Sequence, residues 1–380
     1  MITRILVEHY KSVERVDLKL GPLTVLVGPN GIGKSNFVDA VRFIRDAATL
    51  GLSRAVADRH GIDSIRQWSP GKPHRINLRA EVENDVGRGY FGFTLSSHRG
   101  THTVEHEEGL WELAFPSGPI VIRYTRGSEG NVQVFEGETG MTLLRADQQE
   151  ELYLTQFEAF GFRRLVAALG SMEAYSIYPN DLRTPQKITN DQRLSHNGDN
   201  LTSVFKRLTQ SKRQDYERAR NEILSALRKV MPSLESVQIR SLGGLMAPVF
   251  RVRESNGKVH DFNVAQLSDG TLRVLGILTA LYQPHRPDVV ALEEPEQMIN
   301  PGVLAVLAEA IEEASSTSQV IVTTHSPELL DKFADPAVVL AVEMRDGVTR
   351  IGPISEDQLS AVRERLFSLG ELMTVEGLHT

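Results

Sequence analysis

The stretch from Leu23 to Arg45, LTVLVGPNGIGKSNFVDAVRFIR, constrains the fold more than any other part of the chain. Its first five residues, Leu23 to Val27, are apolar or β-branched and predict a short buried strand. GPNGIGKS follows at residues 28–35 and fits the pattern GxxxxGK[ST], and apolar residues at helical spacing come next. The motif therefore lies between a strand and a helix N-terminus, where backbone N–H groups can wrap a phosphate chain. The sequence predicts a phosphate-binding loop in an α/β domain.

The side chains of this loop have distinct predicted roles. Lys34 would reach the β- and γ-phosphates of a nucleotide, and the Ser35 hydroxyl would ligate Mg²⁺. The predicted ligands are therefore ATP and Mg²⁺. The other positions that we expect to contact the nucleotide are Gly28, Asn30, Gly31, Gly33 and Asn36.

Composition excludes several classes of site. The chain has 380 residues, a formal net charge of −7 and no cysteine, which removes disulfides, thiolate zinc sites and cysteine nucleophiles. The first residues do not resemble a signal peptide, and no apolar run is long enough to span a membrane. We therefore expect a cytoplasmic protein that does not associate with membranes. The negative charge disfavours a protein that coats nucleic acid through its whole surface.

Hydrophobic patterning divides the chain into three regions. Residues 2–20 predict two strands around a turn, and Gly51 to Pro73 predicts an irregular segment. An antiparallel meander is predicted next, from the alternating runs RINLRAEVE, GYFGFTL, THTVEHE, LWELAF, IVIRYTR and NVQVFEG. The predicted domains are an N-terminal lobe at residues 1–150, a helical insert at 151–235 and a C-terminal lobe at 236–380. The C-terminal lobe alternates strands and helices as a parallel sheet does, and closes with a hairpin turned at Asp346-Gly347.

A second motif brings acidic residues to a strand end. Asp288 to Glu296, DVVALEEPE, is an apolar run that ends in two carboxylates and a proline. With a P-loop upstream, we expect Glu293 to hold Mg²⁺ through its water shell and Glu294 to orient and deprotonate the attacking water. A strand that merely ends in solvated acids is the alternative.

Two further motifs admit both a structural and a functional interpretation. Ser268, in QLSDGTL, is either a helix N-cap alone or part of a second anion site at that helix N-terminus. His325 ends the predicted strand VIVTTHS, where it is either structural or directed at the nucleotide.

Together, GPNGIGKSN, LSDGT, the EEP motif and TTHSPE resemble the ABC-type ATPases, in particular the SMC and RecF branch. The opening ILVEHYKSVERVDL is also similar to that branch. The chain looks most like the compact stand-alone AAA-family ATPases of bacteria, because it contains QLSDGTLRVLGILTAL, LEEPE, QVIVTTHSPELLD and LFSLGELM. The resemblance covers residues 1–50 and 262–375 and is weaker between them.

This resemblance implies an architecture. It is a P-loop NTPase head of the ABC type, α/β in class, with a β-rich N-terminal lobe, a parallel sheet core and a short helical insert in place of a coiled coil. Such proteins bind two ATP between two facing heads, so a homodimer is implied. Ser268, Asp269 and Gly270 would then contact the γ-phosphate bound by the partner, His325 would be the switch histidine, and Asn300 would stand at the D-loop position.

The resemblance also implies a Q-loop glutamine between the sheet and the helical insert. Gln156 precedes the helical region and is the first candidate, with Gln67 as the alternative. Two residues depart from the family pattern: Glu293 replaces the more usual Asp, and Asp269 stands where Gly is common. Neither departure removes the chemistry, but both favour slow turnover.

The predicted helical insert carries a basic run and no long heptad pattern, which excludes an SMC-like coiled coil. Lys206 to Lys229 contains eight basic and three acidic residues. The run predicts either a surface for nucleic acid or a partner, or an ordinary solvated helix face. Few aromatic residues accompany it, which weakens a stacking site for single strands.

Three hypotheses for the function follow. The first is an ATPase or sensor component of a bacterial defence or toxin-like system, which works with a separate effector such as a nuclease. The second is a DNA-repair or DNA-maintenance factor of the RecF type that binds DNA under the control of ATP. The third, the nucleotide-binding subunit of a transporter, is disfavoured by the β-rich insertion and the long gap before LSDGT.

Overall fold

A computed structural model describes residues 1–67, 75–114, 119–137, 140–146, 148–156 and 162–380. Its strands, numbered in chain order, are β1 Ile2–Tyr10, β2 Val13–Lys19, β3 Leu23–Val27, β4 Arg75–Asn84, β5 Gly87–His98, β6 Thr101–Leu113, β7 Ile120–Arg126, β8 Asn131–Glu136, β9 Gly140–Arg145, β10 Met172–Tyr175, β11 Leu234–Leu242, β12 Leu245–Arg253, β13 Val259–Asn263, β14 Val289–Glu293, β15 Gln319–Thr324, β16 Val339–Arg345 and β17 Val348–Pro353. Its helices are α1 Lys34–Leu50, α2 Leu52–Ala57, α3 Ile62–Ile65, α4 Arg163–Gly170, α5 Pro179–Arg183, α6 Leu201–Gln210, α7 Gln214–Val230, α8 Asp269–Tyr282, α9 Leu304–Ser315, α10 Pro327–Leu330, α11 Glu356–Arg363 and α12 Leu369–Val375.

The chain forms two compact units. Unit 1 comprises Met1–Met172, Val339–Ser355 and Leu378–Thr380, and unit 2 comprises Glu173–Val338 and Glu356–Gly377. The chain therefore returns to unit 1 twice after leaving it. The domain boundaries 1–150, 151–235 and 236–380 follow the order of motifs along the sequence and stay a prediction.

The strand that leads into the P-loop belongs to the buried core of unit 1. All five residues of β3 are buried, and β3 pairs in parallel with β16, with Val25 opposite Val339. The sheet of unit 1 continues in the order β3-β16-β17-β2-β1-β4-β5-β6-β7-β8-β9. The predicted hairpin is present: β16 and β17 pair antiparallel around Asp346-Gly347, whose φ angles of 54° and 78° suit a tight turn. This hairpin brings a C-terminal segment into the sheet that carries the P-loop.

The predicted meander is also present, with two differences. THTVEHE and the first four residues of LWELAF belong to one strand, β6, and an additional strand, β9, follows β8. β6 pairs with β5 over nearly its whole length, from His98 opposite Thr101 to Gly87 opposite Leu113. Because this long register supplies partners throughout β6, the polar residues in its middle do not interrupt the strand.

The prediction of an irregular segment from Gly51 to Pro73 was wrong over its described part. Two short helices, α2 and α3, occupy it, and residues 68–74 lie outside the described residues. The carboxylate of Glu151 caps α2 by accepting hydrogen bonds from the backbone N–H groups of Leu52 and Ser53, at 2.9 and 3.2 Å. The cap comes from far along the chain, so local sequence patterns do not reveal it.

A buried carboxylate joins the meander to the segment that follows it. Glu107 on β6 is fully buried and accepts hydrogen bonds from the Tyr124 hydroxyl at 2.7 Å and from the backbone N–H groups of Tyr153 and Leu154 at 2.7 and 2.8 Å. Burial raises the pKa of Glu107 above its ordinary value, and this effect outweighs the hydrogen bonds, which lower the pKa. Arg126 lies 3.5 Å from the carboxylate and donates to the backbone carbonyl of Glu151 at 2.5 Å. The cluster fixes the backbone just before Gln156.

Unit 2 contains a parallel pair of strands and a smaller separate sheet. β14 and β15 pair in parallel, with Glu293 opposite Thr323, in the strand order β10-β14-β15. β11, β12 and β13 form an antiparallel sheet of their own. Helix α8 is buried from Leu272 to Tyr282, as expected for a helix that is apolar on all sides.

The helices of the predicted insert are short. The longest, α7, has 17 residues and begins and ends close to the bounds that its apolar spacing predicts. Three of its four buried residues, Ala219, Ile223 and Leu227, follow one another at intervals of four. Such a narrow stripe packs one helix face against a globular domain, and within the described residues no helix extends as a coiled coil.

Glu107→Ala is predicted to lower the free energy of unfolding by about 3–5 kcal/mol, because it removes the acceptor of the Tyr124 hydroxyl and of two backbone N–H groups, and the counter-charge of the buried Arg126. Urea denaturation followed by circular dichroism would measure the change. Glu112→Ala is the matched control on the same strand, since Glu112 pairs with the largely exposed Arg88, and we expect a change within about 0.5 kcal/mol. Equal losses in the two variants would contradict the role given to Glu107.

Candidate functional site

The P-loop of unit 1 follows β3 and ends at the first turn of α1. Gly33, just before α1, has φ 104°, a conformation that favours glycine. A Cβ atom at Gly33 would lie 2.1 Å from the Thr349 hydroxyl and 2.6 Å from the Ser12 hydroxyl. Glycine is therefore required here both by the backbone angle and by the close approach of two side chains.

Lys34 occupies the inside of this loop. Its side chain is buried, and its ammonium donates to the backbone carbonyls of Gly28 and Pro29 at 2.7 and 2.8 Å. The loop thus holds a positive charge against its own backbone. In contrast, Asn30, Gly31 and Ser35 are exposed. The predicted phosphate-binding residues therefore combine a fixed cation with an accessible loop and an accessible hydroxyl at a helix N-terminus, which can accept an anion.

A chain of hydroxyl groups supports the loop from the side. The Asn36 amide donates to Ser12 Oγ at 2.7 Å, and Ser12 Oγ lies 2.7 Å from Thr349 Oγ1. Thr349, which is fully buried, donates in turn to the backbone carbonyl of Ile32 at 2.7 Å. The β1–β2 turn and the β16–β17 hairpin are thereby connected to the P-loop. The conformation of the loop depends on residues near both ends of the chain.

A second network lies beneath α1. Asp39 accepts from the Lys11 ammonium at 2.6 Å, from the Tyr10 hydroxyl at 2.8 Å and from Arg59 at 2.9 Å. Burial alone would raise the pKa of Asp39, but Arg59 and Lys11 hold it below its ordinary value. Burial and the neighbouring carboxylate raise the pKa of the Tyr10 hydroxyl well above its ordinary value. Asp39 therefore stays charged and anchors the Tyr-Lys-Ser turn to the first helix.

The two acids predicted at the end of β14 are where the sequence placed them. Glu293 is the last residue of β14 and is half-buried. Glu294 follows with φ 45°, a left-handed conformation that is strained for a residue other than glycine. The Glu294 N–H donates to the backbone carbonyl of Thr323 at 2.9 Å, and its carboxylate accepts from the Gln297 amide. The strand end thus turns sharply and presents the Glu294 carboxylate.

A third carboxylate, Glu296, lies beside the histidine that directly follows β15. Glu296 Oε1 accepts from the Thr324 hydroxyl at 2.7 Å and from the His325 N–H at 3.1 Å. His325 Nδ1 lies 3.6 Å from Glu296 Oε1 and equally far from Glu294 Oε1. Unit 2 therefore brings the predicted base and the predicted switch histidine together.

Helix α8 contributes a buried arginine to the same place. Arg273 is 1% exposed, and its Nη2 donates to the Glu294 carbonyl at 2.8 Å. Burial lowers the pKa of Arg273, while nearby Tyr178, Glu296 and Glu294 act in the opposite direction. The guanidinium group supports the strained backbone of Glu294 and supplies positive charge near two carboxylates.

The LSDGT motif forms the N-terminus of the same helix. Ser268 is the N-cap and accepts from the Thr271 N–H at 3.2 Å, and its side chain is exposed. Its role in a second anion site stays a prediction. A Cβ atom at Gly270 would lie 2.8 Å from the Met298 carbonyl, so glycine permits the close approach of the predicted D-loop. Asn300 caps the turn that follows by accepting from the Gly302 N–H at 2.9 Å.

Asp269, the acidic departure from the family pattern, has a cationic partner. Arg183 lies 2.5 Å from the Asp269 carboxylate and also donates to the Leu267 carbonyl at 2.8 Å. The negative charge beside the predicted anion site is therefore offset by a guanidinium group.

The two Q-loop candidates differ in their surroundings. Gln156 ends the 3₁₀ turn Leu154–Gln156, just after the backbone N–H groups that donate to Glu107. The side chain of Gln156 is not part of the described structure. Gln67 is buried, and its N–H donates to the His9 carbonyl at 2.9 Å. The assignment of Gln156 stays a prediction.

Much of the basic run from Lys206 to Lys229 is engaged within unit 2. Arg213, which precedes α7, pairs with Asp215, and Arg218 pairs with Glu222 on the helix. Lys229 pairs with Glu309 at 2.6 Å. Arg207 and Arg228 donate to backbone carbonyls. These contacts reduce the positive charge that the run could offer to phosphates.

Four residues that matter here were not predicted. Glu296 could have been suspected as the third acid in LEEPE, and Arg273 as the one charge in the apolar run from Leu272 to Tyr282. Arg183 and Thr349 carry no local signal, because their partners are distant in sequence.

The described ranges contain neither a cluster of metal-ligating side chains nor a membrane-spanning helix. They contain no group of three or more His, Asp or Glu side chains arranged to hold a metal ion. None of their helices is long and apolar enough to cross a membrane.

Curated relatives match this chain only locally. The chain is 43% identical over 44 residues to an OLD nuclease from Thermus scotoductus, which is 12% of this chain and 8% of the relative. It is 50% identical over 50 residues to the DNA replication and repair protein RecF from Paenarthrobacter aurescens, or 13% of this chain and 12% of the relative. The aligned part thus spans about a tenth of the length of each of these relatives.

Solved structures match over nearly the whole chain. A crystal structure of an SMC head bound to the C-winged helix domain of ScpA aligns with a TM-score of 0.55 and 15% identity, over 94% of this chain and 99% of the other. An SMC head from Pyrococcus furiosus with an extended coiled coil, bound to the C-terminal domain of ScpA, aligns with a TM-score of 0.54 and 13% identity, over 96% and 99%. At these identities the likeness shows the fold, and it confirms the predicted ABC-type head.

One family model matches residues 23–331, which include the P-loop, LSDGT, LEEPE and TTHSPELLD. Its description is "AAA domain, putative AbiEii toxin, Type IV TA system". Since the match covers well over half of the chain, and its fold is that of an SMC head, the chain belongs to this family of P-loop ATPase domains.

Proposed function

We propose that this chain binds ATP with Mg²⁺, hydrolyses ATP to ADP and phosphate, and acts as a nucleotide-dependent dimer switch. The observation that carries the proposal is the P-loop. Lys34 is held inside the loop by two backbone carbonyls, while the Ser35 hydroxyl is exposed at the first turn of α1. A fixed cation and a helix N-terminus suit a polyphosphate better than any other common ligand.

The residues present suit Mg²⁺. This ion keeps several water ligands and takes only one or two protein ligands, preferably oxygen. Ser35 would bind it directly and Glu293 would hold it through water. When bound, the ion would neutralise charge that develops on the phosphates.

Glu294 is the proposed general base. Its carboxylate stands at the end of a buried strand on a strained backbone, which Arg273 and Thr323 hold. Glu294 would accept a proton from the attacking water, and His325 would contact the γ-phosphate as the switch histidine. Strain at a site that the surrounding structure fixes is typical of catalytic residues.

We further propose that two copies face one another with ATP between them. Ser268, Asp269 and Gly270 would contact the γ-phosphate bound to the partner, and Asn300 would lie at the D-loop position. Exposure of Ser268 at a helix N-terminus supports this role. Arg183 supports it as well, because its charge offsets that of Asp269. Hydrolysis would remove the phosphate that bridges the two anion sites and so open the dimer.

The biological role that we propose is the ATPase or sensor component of a bacterial defence or toxin-like system in the cytoplasm, with a separate effector such as a nuclease. The family description, which names a toxin–antitoxin system, supports this role. Local similarity to RecF favours a second role in DNA repair or maintenance. The internal pairing of the basic run weakens that alternative. Salt-dependent DNA binding that ATP stimulates would favour the RecF-like role.

Glu294→Gln is predicted to lower kcat for ATP hydrolysis by roughly 10²–10⁴-fold, because the amide cannot accept the proton from water. ATP affinity should be retained, and the variant should accumulate as a dimer. Steady-state phosphate release and equilibrium ATP binding would measure the two effects. Full activity in this variant would show that another residue is the base.

Ser268→Arg is predicted to prevent dimer formation without removing nucleotide binding by the monomer, since a large side chain would fill the proposed contact. Sedimentation of Glu294→Gln with and without Ser268→Arg, in the presence of ATP, would test this. Ser268→Ala is the control for the lost cap, which should cost about 1 kcal/mol of stability. An unchanged dimer in the double variant would contradict the proposed arrangement.

Thr349→Val is predicted to weaken ATP binding about 5- to 10-fold, because the loop carbonyl of Ile32 and the Ser12 hydroxyl each lose a hydrogen-bond partner. Thr349→Ser keeps the hydroxyl and should bind ATP nearly as the unmodified chain does. Equilibrium titration with ATP would compare the three proteins. Equal affinities for Val and Ser variants would show that the hydroxyl does not support the loop.

A further inference from the structure

Two carboxylates flank the predicted switch histidine, and they are held very differently. Glu296 has a side chain that is 7% exposed, whereas the Glu294 side chain is 22% exposed. One oxygen of Glu296 accepts hydrogen bonds from both the hydroxyl of Thr324 and the backbone N–H of His325. Within the described part of the chain, the Glu294 carboxylate accepts a hydrogen bond only from the Gln297 amide. Glu296 is the fixed member of the pair, and Glu294 is the accessible one.

The Nδ1 atom of the His325 imidazole lies near the carboxylates of both Glu294 and Glu296. His325 Nδ1 is buried and lies 3.6 Å from an oxygen of each carboxylate, just beyond hydrogen-bond length. Among the residues that the structure describes, neither His325 Nδ1 nor Glu296 Oε2 has a hydrogen-bond partner. A buried nitrogen and a buried carboxylate oxygen without partners are costly, so a small shift that joins the two groups is favoured.

Neighbouring residues keep Glu296 in place. The Thr324 hydroxyl, which binds Glu296, also accepts from the Ser326 N–H at 3.0 Å, and both residues are buried. Arg273 is buried on α8, and the charge of Glu296 is among those that act on its guanidinium group. The carboxylate is thus held by the same segment that carries the histidine and is compensated by a nearby cation.

We propose that Glu296 is a positioning residue for His325. It would accept a hydrogen bond from Nδ1–H of the imidazole, and this bond would fix the ring so that Nε2 faces the γ-phosphate. The tautomer of a histidine is set by the partner of its other nitrogen, and catalytic hydrogen bonds often tighten only when substrate is present. The inference rests on the proposed function, because it assigns His325 to ATP hydrolysis. Glu294 remains the base, and Glu296 acts only through the histidine.

A double-mutant cycle in the full chain tests this inference. Glu296→Ala and His325→Ala should each lower kcat about 10- to 100-fold, with the Kd for ATP changed less than about twofold. The double variant should be no more than about twofold slower than His325→Ala, because Glu296 acts through the histidine. Glu296→Gln keeps an oxygen acceptor and should recover part of the loss. Rate losses that multiply in the double variant, or unchanged kcat in Glu296→Ala, would overturn the inference.

A second measurement does not depend on ATPase activity. ¹⁵N NMR of the histidine rings, with the His325 signal identified by its loss in His325→Ala, should show the Nδ1–H tautomer in the unmodified chain. In Glu296→Ala, His325 should show a mixture of the Nδ1–H and Nε2–H tautomers. The control is Glu309→Ala, at a glutamate that pairs with Lys229, and it should keep the Nδ1–H tautomer. The same mixed tautomer in the unmodified chain would overturn the inference. Lack of ATPase activity with the tautomer intact would instead refute the proposed function while the positioning contact stands.

Thermal unfolding of each variant separates loss of position from loss of fold. If Glu296→Ala does not fold, Glu296→Gln and His325→Ala complete the cycle. In that case the double variant combines Glu296→Gln with His325→Ala. If Glu296→Gln lowers kcat by the same factor in the His325→Ala background as in the unmodified chain, the inference is overturned.

Discussion

The hydrogen bond from the Thr349 hydroxyl to the Ile32 carbonyl is the contact on which the P-loop depends. It joins residues near opposite ends of the chain, and Ser12 and Asn36 extend it to the N-terminal turn and the first helix. Gly33 is required partly because these two hydroxyls approach so closely. The loop is thus held by its surroundings rather than by its own sequence alone. A nucleotide that binds there meets a preformed site, which reduces the entropy lost on binding.

In unit 2, a carboxylate helps to hold the turn that follows β14. The chain turns sharply after β14, with Glu294 in a left-handed conformation, and several contacts hold that conformation in place. Glu296 then ties the end of β15 to the same turn through Thr324 and His325. Each unit therefore stabilises the segment that carries its motif through buried polar residues. Such groups are costly unless fully paired, and this makes their geometry specific.

Local patterns predicted the elements that carry the motifs. The strand and helix around GPNGIGKS, the acid-ending strand β14 and the hairpin at Asp346-Gly347 all depend on neighbouring residues, and all are present. The helices α2 and α3 were missed because Glu151, a distant residue, supplies the cap of the first. Two predicted strands proved to be one, since long-range pairing with β5 overrides the polar residues in β6.

The sequence alone determined the identity and order of the motifs, and with them the phosphate-binding loop, the paired acids and the resemblance to ABC-type ATPases. Those features are local, because each motif is defined by glycine, lysine or carboxylate residues at fixed spacings within a short stretch of chain. Only the tertiary structure decided which side chains support them. Thr349 beneath the loop, Arg183 beside Asp269, and Glu296 beside His325 act across long separations in sequence. Hydrophobic patterns describe which face of an element is buried, but they do not specify the partners of individual buried polar groups.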